Sequence, residues 1–383
     1  VYEDLPTPLP VVDADRLRRN VAAMADRAAR AGVALRPHVK THKIPEIARM
    51  QVEAGASGLT VATLGEALAF AGAGFDDLFV AYPVWLDEGR TALLRRLLDR
   101  DVSLIVGCDG EEAAARLAAV TRAVPVMIEV DSGHHRTGVA PDAAGDLART
   151  ATAHGLEVRG AFTFPGHSYH PDQRAAAAAA EAAALRTAGR GLRAAGIADP
   201  VLSGGSSPSV AHLDADTLDE IRPGVYVFGD AQQWELGACA ADEIAFTVHA
   251  TVISRRPGTV VLDVGSKVLG ADRAAWATGF GRLLDHPGAR VVQLSEHHAV
   301  VEWAGAESAG AESAGAESAG AEPAGAGSAA ARTDPERGVP PLGARVRVVP
   351  NHVCNAVNLV DRVQVAGPGD DRVLGGGRSP PGV

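Results

Sequence analysis

The chain has 383 residues, 46% hydrophobic and 22% charged, which is enough for one large domain and a smaller one, each with its own core. A formal charge of −11 argues against the clustered basic face of a nucleic-acid binder, and no apolar run reaches the roughly 20 residues that span a bilayer. Three scattered cysteines (Cys108, Cys239, Cys354) and an N-terminus without a basic start or apolar core point to a reducing cytoplasm.

The first element expected is a helix over Asp15–Ala31, with Leu17, Val21, Met24 and Ala28 on one stripe and Asp13 or Asp15 as its cap. Strand-like and helix-like segments then alternate. The expected strands are Leu35–Lys40, Gly58–Thr63, Asp77–Tyr82, Ser103–Gly107, Val124–Val130, Val158–Phe164, Pro200–Gly204 and Gly224–Phe228. Between them lie helical stretches such as Glu46–Ala54, Thr91–Leu98, Glu111–Val120 and Arg174–Ala195. Eight strands alternating with helices predict an α/β fold, a parallel (β/α)8 TIM-type barrel over residues 1–240. From 241 to 383 short strands separated by Gly, Pro and Asp predict a C-terminal β-rich domain. Into it the unit AGAES is inserted and repeated, within Ala304–Ala331, a low-complexity loop too poor in apolar surface to join a core.

Of the 36 basic side chains only Lys40, Lys43 and Lys267 are lysine. A chain that uses arginine almost everywhere draws attention to its lysines, because a guanidinium cannot act as an amine nucleophile. A chance surface lysine is the equal alternative for any one of them. Barrel active sites form at the C-terminal strand ends. The first strand ends in Pro37-His38-Val39-Lys40, and alternation turns His38 and Lys40 into the mouth. Arg136 follows the fifth strand, Ser203-Gly204-Gly205-Ser206-Ser207 ends the seventh, and Arg222 to Tyr226 lie on the eighth. Singly, the glycine–serine run is a plain turn and Arg136 a surface ion pair. Together, a mouth lysine and a loop able to cradle phosphate are what a pyridoxal 5′-phosphate (PLP) enzyme requires. His352 and Cys354, two apart on an extended segment, can hold one zinc from the same face; a buried cysteine beside a capping histidine is the other reading.

The segments RPHVKTHK (Arg36–Lys43), VATLGEA (Val61–Ala67), EVDSGHHRTGV (Glu129–Val139), FTFPGHSY (Phe162–Tyr169), SGGSSPS (Ser203–Ser209), RPGVYVFGD (Arg222–Asp230), LDVGSKVL (Leu262–Leu269) and VPNHVCNAVNL (Val349–Leu359) resemble the D-serine dehydratase/D-threonine aldolase family, fold-type III PLP enzymes related in architecture to alanine racemase. The resemblance implies that Lys40 carries the cofactor and that Arg136 contacts the ring hydroxyl. It places Gly204, Gly205, Ser206, Ser207 and Tyr226 around the phosphate, with Tyr169 and His38 beside the cofactor. Phe162 stands where many relatives carry a tyrosine. A metal is implied at His352 and Cys354, zinc first, with manganese or another divalent ion as alternatives. The H-x-C form matches the dehydratase branch and H-x-D the aldolases. A homodimer is implied as well.

The expected reaction is β-elimination of water from a small D-3-hydroxy amino acid, with Lys40 as base and the metal assisting departure of the hydroxyl. Retro-aldol cleavage to glycine and an aldehyde is the alternative. Two other classes stay open: a metal-dependent hydrolase, and a barrel that binds PLP without turnover. Neither nucleic acid nor membrane is an expected partner.

Overall fold

The computed structural model describes residues 4–303, 339–367 and 372–375; the AGAES insert at 304–331 and all but the start of the Gly/Pro-rich tail lie outside the described residues. Eight parallel strands form one sheet: Ala34–Leu35, Leu59–Val61, Asp77–Pro83, Ser103–Cys108, Val126–Glu129, Val158–Phe162, Val201–Gly204 and Glu220–Ile221. The last strand pairs with the first, and a bridge from His38 to Thr60 joins the first to the second, closing a barrel. Helices Pro45–Glu53, Leu64–Gly72, Glu88–Leu98, Glu111–Val120, Ala144–Ala153 and Arg174–Ala194 make the successive crossovers.

At the closure the structure differs from the expected strands. The first ends at Leu35, and Lys40 sits in a 3-10 turn, Val39–Thr41, that His38 caps by accepting the Lys40 N–H at 3.5 Å. The last strand is Glu220–Ile221 and not Gly224–Phe228: Pro223 has no N–H for a ladder, and Val225–Val227 turns into a second 3-10 segment. These two turns face each other. A Cβ on Gly224 would lie 2.8 Å from the His38 carbonyl oxygen and from Thr41 Oγ1.

The first helix, Ala14–Ala31, starts where Asp13 accepts the Arg16 N–H at 2.9 Å and stops at Gly32, whose φ of 69° is left-handed. Its stripe divides between two cores. Met24 and Ala28 pack into the barrel core, Leu17 and Val21 into that of the second domain. Each such buried aliphatic side chain contributes about 1.5–3 kcal/mol over exposure, so the helix fastens the two units together.

The second sheet has nine strands: Leu9–Asp13, Phe246–Arg256, Thr259–Leu262, Gly281–Leu283, His286–Leu294, Ala299–Glu302, Arg345–Pro350, Arg362–Ala366 and Arg372–Gly375. Phe246–Arg256 pairs with both Thr259–Leu262 and Arg345–Pro350, which closes six of them into an antiparallel barrel. Leu9–Asp13, not foreseen as a strand, pairs with Phe246–Arg256 and runs parallel to Arg362–Ala366. Among the described residues no helix is long and apolar enough to cross a membrane.

A polar column fills the first barrel. Arg36 donates to Asp77 and Glu220 at 2.6 Å each, Ser203 Oγ donates to Glu220 at 2.6 Å, and Arg222 donates to Ser203 Oγ. Arg36, Glu220, Ser203 and Arg222 are all buried, so each charge has to be matched inside. At its upper end the Arg222 guanidinium forms part of a cavity floor.

Candidate active site at the barrel mouth

A cavity of ≈ 360 Å³ opens at the C-terminal ends of the barrel strands. Of the three lysines, Lys40 alone lines it; Lys43 is held by Asn358 at 2.8 Å and Glu66 at 3.4 Å, and Lys267 pairs with Glu296 at 2.8 Å. The Lys40 amine lies 5.7 Å from the centre of the Phe164 ring, and the Arg136 guanidinium is 5.1 Å from the same ring. Burial lowers the Lys40 pKa; Arg136 and Arg222 add to this, while Cys354 and Glu66 oppose it. The amine is thereby shifted toward its neutral, nucleophilic form. His38 is driven well below its usual range by burial and by Lys40 and Arg222, so it is a neutral imidazole in the wall.

One side of the cavity is built from two turns. Gly205, with a left-handed φ of 78°, sends its N–H to Glu181 at 2.6 Å. Ser206 is engaged with Ser168 and Ser209 at 2.9 and 2.8 Å, and Ser207 Oγ accepts the Tyr226 N–H at 3.1 Å. The backbone N–H groups of Ser207, Gly224 and Val225 line the cavity and have no acceptor among the described residues. Three donors without an acceptor, on residues that line one cavity, are able to bind an anion such as a phosphate. The sequence offers Arg222–Tyr226 as a further neighbour of a phosphate, on a strand that the structure ends at Ile221. Two expected members stand back from the cavity. Gly204 is still in the strand, where its carbonyl accepts from Arg222, and the Tyr226 hydroxyl accepts from Gln51 at 2.9 Å.

Phe162 is buried against Phe79 with ring centres 5.1 Å apart, and Arg222 lies over both rings. Phe164, two residues on and past the strand end, lines the cavity instead, as does Tyr82. Tyr169, also lining the cavity, packs 6.1 Å from Phe164, and its carbonyl accepts from Trp276 of the second domain at 3.1 Å. Burial raises its phenol above the usual range, with Cys354 and Asp230 adding to the shift.

His352 and Cys354 lie beside this wall. The segment is not extended: His352 is the N-cap of helix Val353–Asn358 and Cys354 sits in its first turn. The two side chains are nonetheless close enough for Cys354 to raise the His352 pKa. Cys354 Sγ is 3.4 Å from Thr41 Oγ1, the His352 Nδ1 bonds the Asp272 carboxylate, and Asp230 accepts the Val353 N–H at 3.1 Å. Although burial disfavours the imidazolium, Asp272 and Cys354 carry His352 up to about 11. Those anionic surroundings suit a divalent cation. Among the described residues no group of three His, Cys, Asp or Glu that could hold a metal ion occurs, so His352 and Cys354 stand as a pair. Thr41, Asp230, Asp272 and Glu181 were missed from sequence. Of the remaining histidines, His134 stacks edge-on to Phe164 at 5.6 Å and His135 bonds Asp131 at 2.7 Å.

Residues 12–232 match the family model "Alanine racemase, N-terminal domain", and residues 245–366 match "Putative serine dehydratase domain". The chain is 37% identical over 372 residues to D-threo-3-hydroxyaspartate dehydratase of Delftia sp. (strain HT23), covering 91% of each chain. It is 31% identical to D-threonine aldolase of Arthrobacter sp over 376 residues, 94% of this chain and 88% of that one. A solved structure of the D-threo-3-hydroxyaspartate dehydratase, a cysteine-to-alanine mutant in the metal-free form, superposes with a TM-score of 0.82 at 32% identity, covering 97% of both chains. With both domains matched and the relatives aligned almost end to end, the chain belongs to the D-serine dehydratase/D-threonine aldolase family of fold-type III PLP enzymes.

Proposed function

We propose that this chain eliminates water from a D-amino acid bearing a 3-hydroxyl, of the D-serine type, giving a 2-oxo acid and ammonia. The observation that carries the reading is the placing of the His352–Cys354 pair against the turn that holds Lys40, through the 3.4 Å contact between Cys354 and Thr41. A group that takes a proton lines the cavity, and a pair that could hold an ion to assist departure of a hydroxyl stands behind its wall at Thr41.

PLP bound to Lys40 supplies the electron sink that makes the substrate Cα–H acidic. A zinc held by His352 and Cys354, with manganese or another divalent ion able to substitute, supplies a Lewis acid for the 3-hydroxyl. The rest falls to the chain's own residues. The Ser207, Gly224 and Val225 N–H groups would anchor the phosphate, and Arg136 would meet the ring hydroxyl. Phe164, which lines the same cavity, would offer the ring an apolar wall. Lys40, as a free amine, would take the Cα proton; its lowered pKa favours the accepting form. Loss of the hydroxyl as water followed by hydrolysis would give the oxo acid and ammonia. The active unit is a homodimer, with the second domain of one chain closing the barrel mouth of the other; this rests on fold-type resemblance.

Retro-aldol cleavage is the second reading, favoured by the 31% identity to a D-threonine aldolase over nearly the whole chain. Cysteine rather than aspartate at position 354 speaks for elimination. The deciding assay offers D-serine, D-threonine and D-threo-3-hydroxyaspartate, and measures oxo acid and ammonia against aldehyde and glycine. Oxo acid should dominate. Glycine and aldehyde as the main products would replace the proposal with its alternative.

A further inference from the structure

The segment Asn351-His352-Val353-Cys354-Asn355 is held from three sides, and each contact removes a different freedom. Asp230, at the end of the barrel's last turn, accepts the Val353 N–H at 3.1 Å and fixes the backbone between the two ligands. Thr41 meets the Cys354 sulphur at 3.4 Å and fixes the thiol. What remains is rotation of the His352 ring, and Asp272 addresses it by bonding Nδ1, which leaves Nε2 as the ring nitrogen free of Asp272.

Asp272 is itself anchored to that segment. Its backbone carbonyl accepts from the Asn351 side chain at 3.1 Å, and Asn355 is near enough to help lower its carboxylate pKa. The residue beside His352 therefore fixes the backbone from which the aiming carboxylate projects. We infer that Asp272 is the positioning residue of the metal centre, setting the tautomer and ring angle of His352 so that Nε2 and the Cys354 sulphur present to one ion. A carboxylate on the far nitrogen also makes the imidazole a stronger donor. This rests on the metal reading given above.

The test is metal affinity rather than turnover. The Asp272 side chain is 41% exposed, so its replacement leaves the fold intact. Cofactor-loaded wild type, Asp272→Asn, Asp272→Ala and Asp272→Glu are titrated with Zn2+ against a chromophoric chelator, then loaded with Co2+ for absorption spectra. The expected result is a loss of about 10–100-fold in affinity for Asp272→Ala and a smaller loss for Asp272→Asn. Asp272→Glu should recover part of it, with cofactor content and thermal transition unchanged throughout. The thiolate-to-cobalt band should persist in Asp272→Ala while the ligand-field bands shift, because sulphur stays and the ring turns. Equal affinities and superimposable cobalt spectra across the four proteins would overturn the inference. Wild type that takes up no stoichiometric zinc would overturn the metal reading itself, a distinct and separately visible failure.

Discussion

The sulphur of Cys354 touches the hydroxyl of Thr41 at 3.4 Å, and Thr41 directly follows Lys40 in a single 3-10 turn. The contact joins the second domain to the turn that carries the reactive amine, across 313 residues of sequence. Thr41→Val keeps the shape and removes the hydroxyl. It should lower kcat by on the order of 10-fold with the cofactor still attached, through a loosened thiol. Steady-state kinetics beside cofactor absorbance check this; unchanged kcat would mean the contact is incidental.

Lys40→Arg should abolish turnover and covalent attachment of the cofactor while the fold survives. Guanidinium keeps the charge and loses the nucleophile. Borohydride reduction and peptide mapping of the wild type should label Lys40 alone, since Lys43 and Lys267 are committed to Asn358 and Glu296 away from the cavity. A label on either of those two would remove Lys40 from its role.

What could be read from the sequence were features written in residue type and local order. The scarcity of lysine marks Lys40, and the alternation of strands and helices marks the barrel. The glycine–serine run marks the phosphate end. Misreadings came where the chain leaves its strand early. Gly224–Phe228 looks extended, but Pro223 and the 3-10 turn after it send the Tyr226 hydroxyl to Gln51 and bring the Gly224 and Val225 N–H groups to the cavity instead. Phe162 is buried in the barrel while Phe164 lines the cavity, a difference that residue type alone does not show. Asp272 and Asp230 act on partners 80 and 123 residues away, and Glu181 on one 24 away, so no local pattern announces them.

The Arg36–Glu220 pair should behave as a buried ion pair. Both residues are buried, and Asp77 completes the arrangement around Arg36. Arg36→Met leaves Glu220 uncompensated and should cost about 3–5 kcal/mol, whereas the double change Arg36→Met with Glu220→Met should recover much of that loss. Denaturant unfolding of the three variants measures it. A double mutant as unstable as the single would show that shape rather than charge governs the site.

Glu181 gives a pH dependence with a definite sign. Burial raises its carboxyl to about 7, with the Gly205 N–H and Arg222 pulling it back. The folded state thus holds the proton more tightly than the unfolded chain, whose glutamate titrates near the ordinary value of about 4.3. Its stabilising contribution is complete below that value and is lost as pH rises through about 7. Glu181→Gln can still accept the Gly205 N–H and never ionises. It should be more stable than wild type by on the order of 1–3 kcal/mol at pH 8, with a smaller difference at pH 5. Unfolding midpoints at the two pH values test the slope; an equal difference at both would show that Glu181 does not titrate in this range.

The widest consequence of the proposed chemistry lies in removing the metal pair while leaving Lys40 alone. Cofactor attachment needs only the amine and the phosphate cradle, and neither His352 nor Cys354 lines the cavity. Departure of the 3-hydroxyl needs the Lewis acid. Cys354→Ala, or treatment with a chelator, should therefore give protein with full cofactor content that still binds D-serine, seen as a change in cofactor absorbance, but forms no pyruvate. The chelated wild type should recover on adding zinc, and Cys354→Ala should not, which separates loss of the ion from loss of the ligand. Cys354→Asp exchanges a soft sulphur for a hard oxygen donor and should shift preference from zinc toward manganese. It should also raise glycine release from D-threonine relative to oxo acid. Elemental analysis comes first, with about one zinc per chain expected for a single such site. Turnover undiminished in metal-free protein would end the proposal and return His352 and Cys354 to a cap and its buried neighbour.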